Sequence, residues 1–226
     1  MATPGTRRRP DAAPALAQYR RRAPRYDLEL APFEPVRTQA VAALGLQRDA
    51  TVLDVGCGTG LSFSLLRRGI GAGGHIVGVD QSPEMLACAR QRVREQGWDH
   101  VRLVCAPAAA ARLAGGADAA LFHLVHDVLR DDAALANVLR HLKPGARVVA
   151  TGLHWAPPWL WPVNAFVLMA ALYSVTSLEG LVRPWDKLAP RLDGFAVRDV
   201  LGGAMFIASG WYRGVAGRNR ERDRIS

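Results

Sequence analysis

Lysine is almost absent from this chain: Lys143 and Lys187 are the two exceptions among 29 basic residues that are otherwise arginine. Cysteine is scarce as well. Cys57, Cys88 and Cys105 are odd in number and lack Cys-x-x-Cys spacing, so the sequence suggests neither a disulfide framework nor a zinc site, and a reducing compartment is expected. Long apolar runs are missing too. The stretch from Ala165 to Val175 falls far below the roughly 20 residues that a bilayer core requires. The basic N-terminus, MATPGTRRRPDAAPALAQYRRR, has no continuous apolar core after its charges, so no cleaved export signal is expected and the cytoplasm is the expected location. No internal repeat is visible.

What is present is enough for one substantial core: 226 residues, half of them hydrophobic and 22% charged, a balance ordinary for one globular domain. The formal charge of +9 gathers near the ends, at Arg7–Arg9, Arg20–Arg22, Arg213, Arg218, Arg220, Arg222 and Arg224. Residues 1–17 and 214–226 therefore read as solvated basic tails around a domain spanning 18–213, with peripheral attraction to an anionic membrane as the alternative reading.

Within that domain, apolar positions from Leu28 to Leu46 recur at helical spacing, with regular helix confined to the part after Pro32 and Pro35 and ending near Gly45. Alternation follows. Thr51–Val55 reads as a strand, Leu61–Arg68 as a helix and His75–Val79 as a second strand, together a βαβ unit. Ser82-Pro83-Glu84 supplies an N-cap, a first-turn proline and an early acid for a helix that ends near Gly97. Val101–Cys105, Ala117–Val125 and Ala146–Gly152 are further strands, with a helix over Asp131–His141. Phe195–Leu201 and Ala204–Trp211, separated only by Gly202-Gly203, carry hairpin chemistry. The expected fold is α/β: a doubly wound, seven-stranded, mostly parallel sheet ending in an antiparallel C-terminal hairpin. Residues 155–191, rich in Trp and Pro, read as an inserted cap.

The segment Val52-Leu53-Asp54-Val55-Gly56-Cys57-Gly58-Thr59-Gly60 puts three glycines in the turn after the first strand, where a ligand approaching the backbone would clash with a Cβ. The G-x-G-x-G spacing, preceded by an acid, differs from the G-x-G-x-x-G of dinucleotide binders. Asp80 closes the second strand, about twenty residues further on, where a carboxylate can accept from both hydroxyls of a ribose or, alone, cap the next helix.

The segments VLDVGCGTG, VGVDQSPEML and LKPGARVV resemble the motifs of class I S-adenosylmethionine-dependent methyltransferases, over roughly residues 26–152. The resemblance implies S-adenosyl-L-methionine as cofactor and S-adenosyl-L-homocysteine as product. It implies that Gly56, Gly58 and Gly60, with Cys57 and Thr59 in the same turn, shape the methionine and ribose pocket. It further implies that Asp54 orders the amino end, that Asp80 holds the ribose and that Gln81 and Met85 border the adenine. One position departs from the pattern. The acid that usually meets the adenine amino group falls near Pro107, where the sequence reads Cys105-Ala106-Pro107-Ala108, so backbone groups around Ala106 and Ala108 are the substitute. Tyr26-Asp27 resembles a pair found in the ubiquinone/menaquinone and phospholipid methyltransferase-like branches, where it covers the cofactor; Tyr26, with Tyr19, either closes the pocket or merely anchors the first helix.

Chemistry is expected outside the carboxyl ends of the parallel strands, which brings His123, His126 and Asp127 forward as catalytic candidates, with His154 behind them. A histidine suits the removal of one proton near neutral pH. Alternatively, His126 and Asp127 cap or salt-bridge the following helix and His123 is a packed side chain. The aromatic insert (Trp155, Trp159, Trp161, Phe166, Met169, Tyr173, Trp185) is expected either to wall a lipophilic or aromatic acceptor or to form a homodimer contact. Phospholipid methylation at a membrane surface and a non-catalytic cofactor-binding scaffold are the competing functions. A nucleic-acid partner is not expected, since nothing like Asn-Pro-Pro-Tyr follows the fourth strand and no RNA module is visible.

Overall fold

In the computed structural model, residues 26–174, 178 and 180–214 are described; the expected tails apart from Gly214, Tyr19, and the side chains of Tyr26, Tyr173 and Ser174 lie outside the described set. Seven strands form one sheet in the order β3-β2-β1-β4-β5-β7-β6, with β7 antiparallel to both of its neighbours. They are β1 (Thr51–Val55), β2 (His75–Asp80), β3 (Val101–Cys105), β4 (Ala117–His123), β5 (Leu142–Leu153), β6 (Leu192–Val200) and β7 (Met205–Tyr212). The helices are α1 (Tyr26–Glu29), α2 (Glu34–Ala43), α3 (Phe63–Ile70), α4 (Pro83–Glu95), α5 (His126–Arg130), α6 (Asp132–Leu139) and α7 (Trp161–Ser174).

Side chains of a strand alternate between faces, and this sorts the core into two layers. Val52, Ile76, Leu121, Val149 and Ile207 pack on one face with Val36 and Ala40 of α2, Phe63 and Leu66 of α3, and Val167 and Ala171 of α7. Leu53, Phe122, Val148 and Phe206 pack on the other with Leu129 of α5 and Leu135 and Val138 of α6. Strands buried on both faces explain why β1 and β4 read as nearly continuous apolar runs.

The strand and helix expectations hold in kind and shift at their ends for identifiable reasons. Ser82 caps α4, its hydroxyl accepting from the Met85 N–H at 3.2 Å. Asp131 caps α6 through the Ala133 N–H, so that helix starts at Asp132 and ends at Leu139 rather than His141. β4 stops at His123 instead of Val125 because Leu124 turns into the left-handed region at φ 57°. β5 begins at Leu142, earlier than expected, because the Lys143-Pro144-Gly145 turn is absorbed into a register shift opposite Ala117 and Ala119. The hairpin strands run 192–200 and 205–212, joined through a tight turn at Leu201–Gly203.

β2 passes directly beneath the turn that follows β1. A Cβ built on Gly78 would stand 2.9 Å from Cys57 Sγ, 2.9 Å from the Phe63 ring and 3.0 Å from Leu103 Cδ2. Gly78→Ala is expected to lower the unfolding free energy by about 1–3 kcal/mol, the usual cost of overpacking. A urea midpoint equal to that of the unsubstituted protein would show that this packing is slack.

Candidate functional site

The strand order reverses at β1, which pairs with β2 on one side and β4 on the other; the carboxyl ends of β1 and β4 therefore open a crevice at a topological switch point. The turn leaving β1 holds Gly56, Gly58 and Gly60, all at positive φ (68°, 55° and 78°). A side chain is strained there on backbone grounds alone. Neighbours close the space as well: a Cβ on Gly56 would fall 2.2 Å from Val125 Cγ1, and one on Gly60 2.5 Å from the Phe63 ring.

Asp80 fixes the turn from below. Its carboxylate accepts from the Gly58 N–H at 2.9 Å and from the Ser82 N–H at 2.8 Å, so one side chain joins the glycine turn to the start of α4. Burial raises its pKa while those amide bonds pull against the rise. The turn is also strapped from above. Thr59 Oγ1 donates to Asp27 of α1 at 2.6 Å, Arg92 of α4 pairs with the other oxygen of Asp27, and Arg92 Nε donates to the Thr59 carbonyl at 3.0 Å.

A cleft lies at the mouth of the turn, lined by Leu30, Arg37, Asp54, Gly56, Cys57, Gly58, Thr59, Leu61, Ser62, His123 and Leu124. Asp54 and His123 share the sheet face covered by α2, from which the fully buried Arg37 enters. Arg37 pairs with Glu34 one turn earlier, yet its Nε has no partner; Asp54 Oδ2, both ring nitrogens of His123 and the Thr151 hydroxyl are likewise buried without one. Thr151 is the β5 residue in register with His123. Buried polar atoms are nearly always hydrogen-bonded, so this concentration on three adjacent strands marks a place shaped for something polar.

Electrostatics agree. Burial pushes the Asp54 carboxyl up to about 7, with the Asp80 charge adding to the rise and Arg37 opposing it. Burial first, and Arg37 second, push His123 down to about 3, so its imidazole is neutral at physiological pH.

Of the residues singled out from the sequence, Asp54, Gly56, Cys57, Gly58, Thr59 and His123 line this cleft together, and Gly60 closes the same turn. Asp80 sits one hydrogen bond behind them, through Gly58. Gln81, Ala106 and Pro107 stand outside the lining, just past the ends of β2 and β3, and so does Met85, fully buried in the first turn of α4. His126 and Asp127 open α5, beyond the lining. In the loop after β3, the Ala106 N–H donates to the Asp80 carbonyl, and Asn137 of α6 donates to the carbonyls of Ala108 at 2.7 Å and Ala111 at 3.0 Å. His154 packs against Trp185 and Phe206 and reaches Asp199 at 3.3 Å. The aromatic insert does not form one wall. Trp155 joins the core, Trp185 stacks edge-on to Phe206 at 4.8 Å, and Trp159, Trp161 and Met169 face outward.

Arg37, Thr151, Ser62 and Leu30 were not foreseen. Arg37 alone left a trace, as a charge on the apolar face of a helix. Among the described residues, no group of three His, Cys, Asp or Glu side chains could hold a metal ion.

This geometry can be set beside known proteins. Residues 52–145 match the family described as a methyltransferase domain. Demethylmenaquinone methyltransferase of Thermus thermophilus is 36% identical over 159 residues, covering 67% of this chain and 69% of that protein. The chain belongs to the class I S-adenosylmethionine-dependent methyltransferases. Trans-aconitate 2-methyltransferase of Azoarcus sp. (strain BH72) is 39% identical over 126 residues; the alignment takes in 53% of this chain and 47% of that relative, so it spans about half its length. Among solved structures, geranyl diphosphate C-methyltransferase from Streptomyces coelicolor A3(2), in complex with Mg2+, geranyl-S-thiolodiphosphate and S-adenosyl-L-homocysteine, superposes with a TM-score of 0.60 at 21% identity, over 80% of this chain and 76% of that one, a likeness of fold.

Asp54 and His123 couple the stability of the unliganded methyltransferase domain to pH in opposite senses. A carboxyl raised from 3.8 to about 7 binds its proton more tightly in the folded state, so stability falls as pH climbs through that window. An imidazole lowered from 6.5 to about 3 makes stability rise over an overlapping window. The two slopes largely cancel between about pH 4 and 6.5. Asp54→Asn is expected to leave a stability that rises with pH there, and to raise the melting temperature at pH 8 by several degrees at roughly 2–4 °C per kcal/mol. His123→Asn is expected to leave a falling stability. Identical pH profiles for both variants would contradict the assignment.

Proposed function

We propose that this chain binds S-adenosyl-L-methionine across the glycine turn and transfers its methyl group to a small lipophilic or aromatic acceptor, releasing S-adenosyl-L-homocysteine. One observation carries the reading: a glycine turn of three left-handed residues with a buried carboxyl oxygen lacking a partner at one end, Asp54, and a carboxylate anchored by backbone amides at the other, Asp80.

The residues fit the group. Asp54 receives the ammonium of the methionine end and ionises as it does so, since a cation within contact distance favours the charged carboxylate. Arg37, on the opposite wall with Nε free, complements the methionine carboxylate. Each oxygen of Asp80 accepts one backbone N–H and retains a lone pair, enough to accept both ribose hydroxyls. Gln81, Met85, Ala106 and Pro107 border the adenine. The Ala106 N–H and Ala108 carbonyl already serve the loop, so the second lone pair of the Ala108 carbonyl and the remaining backbone groups meet the base. Tyr26 belongs to the segment that Asp27 straps over the turn, and Leu30 brings that segment to the cleft.

When bound, the cofactor supplies a methyl group already activated on a sulfonium. The protein's work is to bring the acceptor atom into line with it, keep water out and, where the acceptor carries a proton, remove it. His123, neutral and with both ring nitrogens free, orients polar atoms at the cleft floor; with a conjugate acid near 3 it is a poor proton acceptor at neutral pH. His126 and Asp127, at the start of α5, are assigned the proton-accepting role. A lipophilic acceptor accords with the relative named for demethylmenaquinone, whereas the relative named for trans-aconitate acts on a hydrophilic anion.

Gly58→Val is expected to abolish binding of S-adenosyl-L-homocysteine in equilibrium dialysis, and Asp54→Asn to weaken it at least tenfold. His126→Ala is expected to lower turnover with cofactor affinity kept; unchanged turnover removes His126 from the catalytic set. Incubation with methyl-labelled cofactor and a metabolite extract is expected to place the label in material that partitions into organic solvent at neutral pH. Label confined to water-soluble acids would overturn the acceptor class, and absence of cofactor binding would overturn the whole reading.

A further inference from the structure

α7 carries no charge, and apart from Asn164, whose amide is taken up by the Ala156 backbone, its described side chains are apolar on every side. Residues 155–178 contain no Asp, Glu, Lys or Arg. One stripe, Val163, Val167 and Ala171, at four-residue spacing, packs onto the sheet. The opposite stripe is open to solvent: Trp161 is 72% exposed, Met169 69% and Leu172 62%, with Trp159 77% exposed just before the helix. Val182 and Leu28 are exposed as well. A helix apolar all round is ordinarily buried, and none of these side chains lines the cofactor cleft. At 14 residues α7 is about 21 Å long, too short to cross a bilayer core, and no described helix is long and apolar enough to do so.

Charge identifies what covers this face. Residues 1–25 hold seven arginines against one acid and residues 215–226 four against two, so eight of the nine net positive charges belong to the two ends of the chain. The N-terminal set leads, in sequence, into a segment that lies beside α7. Arg20, Arg21, Arg22 and Arg25 immediately precede Tyr26, the segment they lead into packs Phe33 against Phe166 of α7 with ring centroids 6.4 Å apart, and Arg183 follows the exposed Val182. An apolar face bearing two exposed tryptophans, beside a segment that an arginine-rich stretch precedes in sequence, is complementary to an anionic bilayer surface, where tryptophan settles at headgroup level and each basic residue near the surface strengthens binding about fivefold. RNA phosphates would take up the arginines and leave the tryptophans and Met169 in water.

We propose that the exposed face of α7, with Trp159 and Trp161, lies in the headgroup region of an anionic membrane, its binding strengthened by the arginine-rich sequence that precedes Tyr26. The surface is argued from exposure and charge and does not rest on the acceptor assigned above.

The test is flotation of the full-length protein with vesicles of phosphatidylcholine alone and of phosphatidylcholine with phosphatidylglycerol. Partition onto the anionic vesicles is expected to be at least tenfold greater and to weaken as salt is raised. Brominated lipid is expected to quench tryptophan emission, and Trp159→Phe/Trp161→Phe to remove that quenching. Met169→Asp/Leu172→Asp is expected to lose partition at least tenfold while keeping its melting temperature and its affinity for S-adenosyl-L-homocysteine; the second readout separates a failed surface from a failed cofactor site. Equal partition onto both vesicle types, no partition onto either, or a dimer in light scattering that the same double substitution dissolves would overturn the proposal, the last by assigning the face to a second copy of the chain.

Discussion

A carboxyl group held out of water with one oxygen unsatisfied is expensive, and the architecture around β1 is arranged about that cost. Asp54 stands on a strand buried on both faces, beneath a backbone turn that admits no side chains. The charge that opposes this cost is Arg37, itself fully buried and drawn partly toward Glu34. Burial first, and Arg37 after it, discourage a charge on His123. The fold thus keeps an acid, a cation and a neutral imidazole in one small space without letting them satisfy one another. Unpaired polar atoms persist in a core when the surrounding packing over-determines them, and they reward a ligand that supplies the missing partners.

The rigidity that enforces this comes from backbone rather than from side-chain reach. Asp80 ties Gly58 to Ser82, Asp27 and Arg92 clamp Thr59, and the Phe63 ring fills the space that a Cβ at Gly60 or Gly78 would take. Leu124 adds a strained residue at the end of β4, turning the chain so that Val125 closes over Gly56. A turn held from four directions presents its amides and its neighbouring carboxylates in fixed positions, which lowers the ordering cost of seating a flexible cofactor.

Much of this is legible in the sequence alone. Alternating apolar runs and glycine turns pointed to the parallel part of the sheet, because each signal was local: a period, a cap or a punctuating glycine. Asp54 and Asp80 were legible for the same reason, their spacing from the glycines being fixed along the chain. Arg37 and Thr151 were hidden because only packing brings them to Asp54 and His123, one from a helix laid across the sheet and the other from a strand that pairs with β4 from nearly thirty residues away. The aromatic insert misled in a different way. Composition showed an abundance of tryptophan but not its direction, and one uncharged, largely apolar helix can serve a core and a surface at once, as Val167 and Trp161 do on opposite sides of α7.

The central claim is that the Asp54 carboxyl, about half protonated at pH 7, waits for a cation. It is tested most directly by calorimetric titration with S-adenosyl-L-homocysteine at pH 7 in buffers of different ionisation enthalpy. The account predicts one site per chain and release of roughly half a proton on binding, abolished by Asp54→Asn. Binding heat that is independent of the buffer, or no binding by the folded protein, would contradict it.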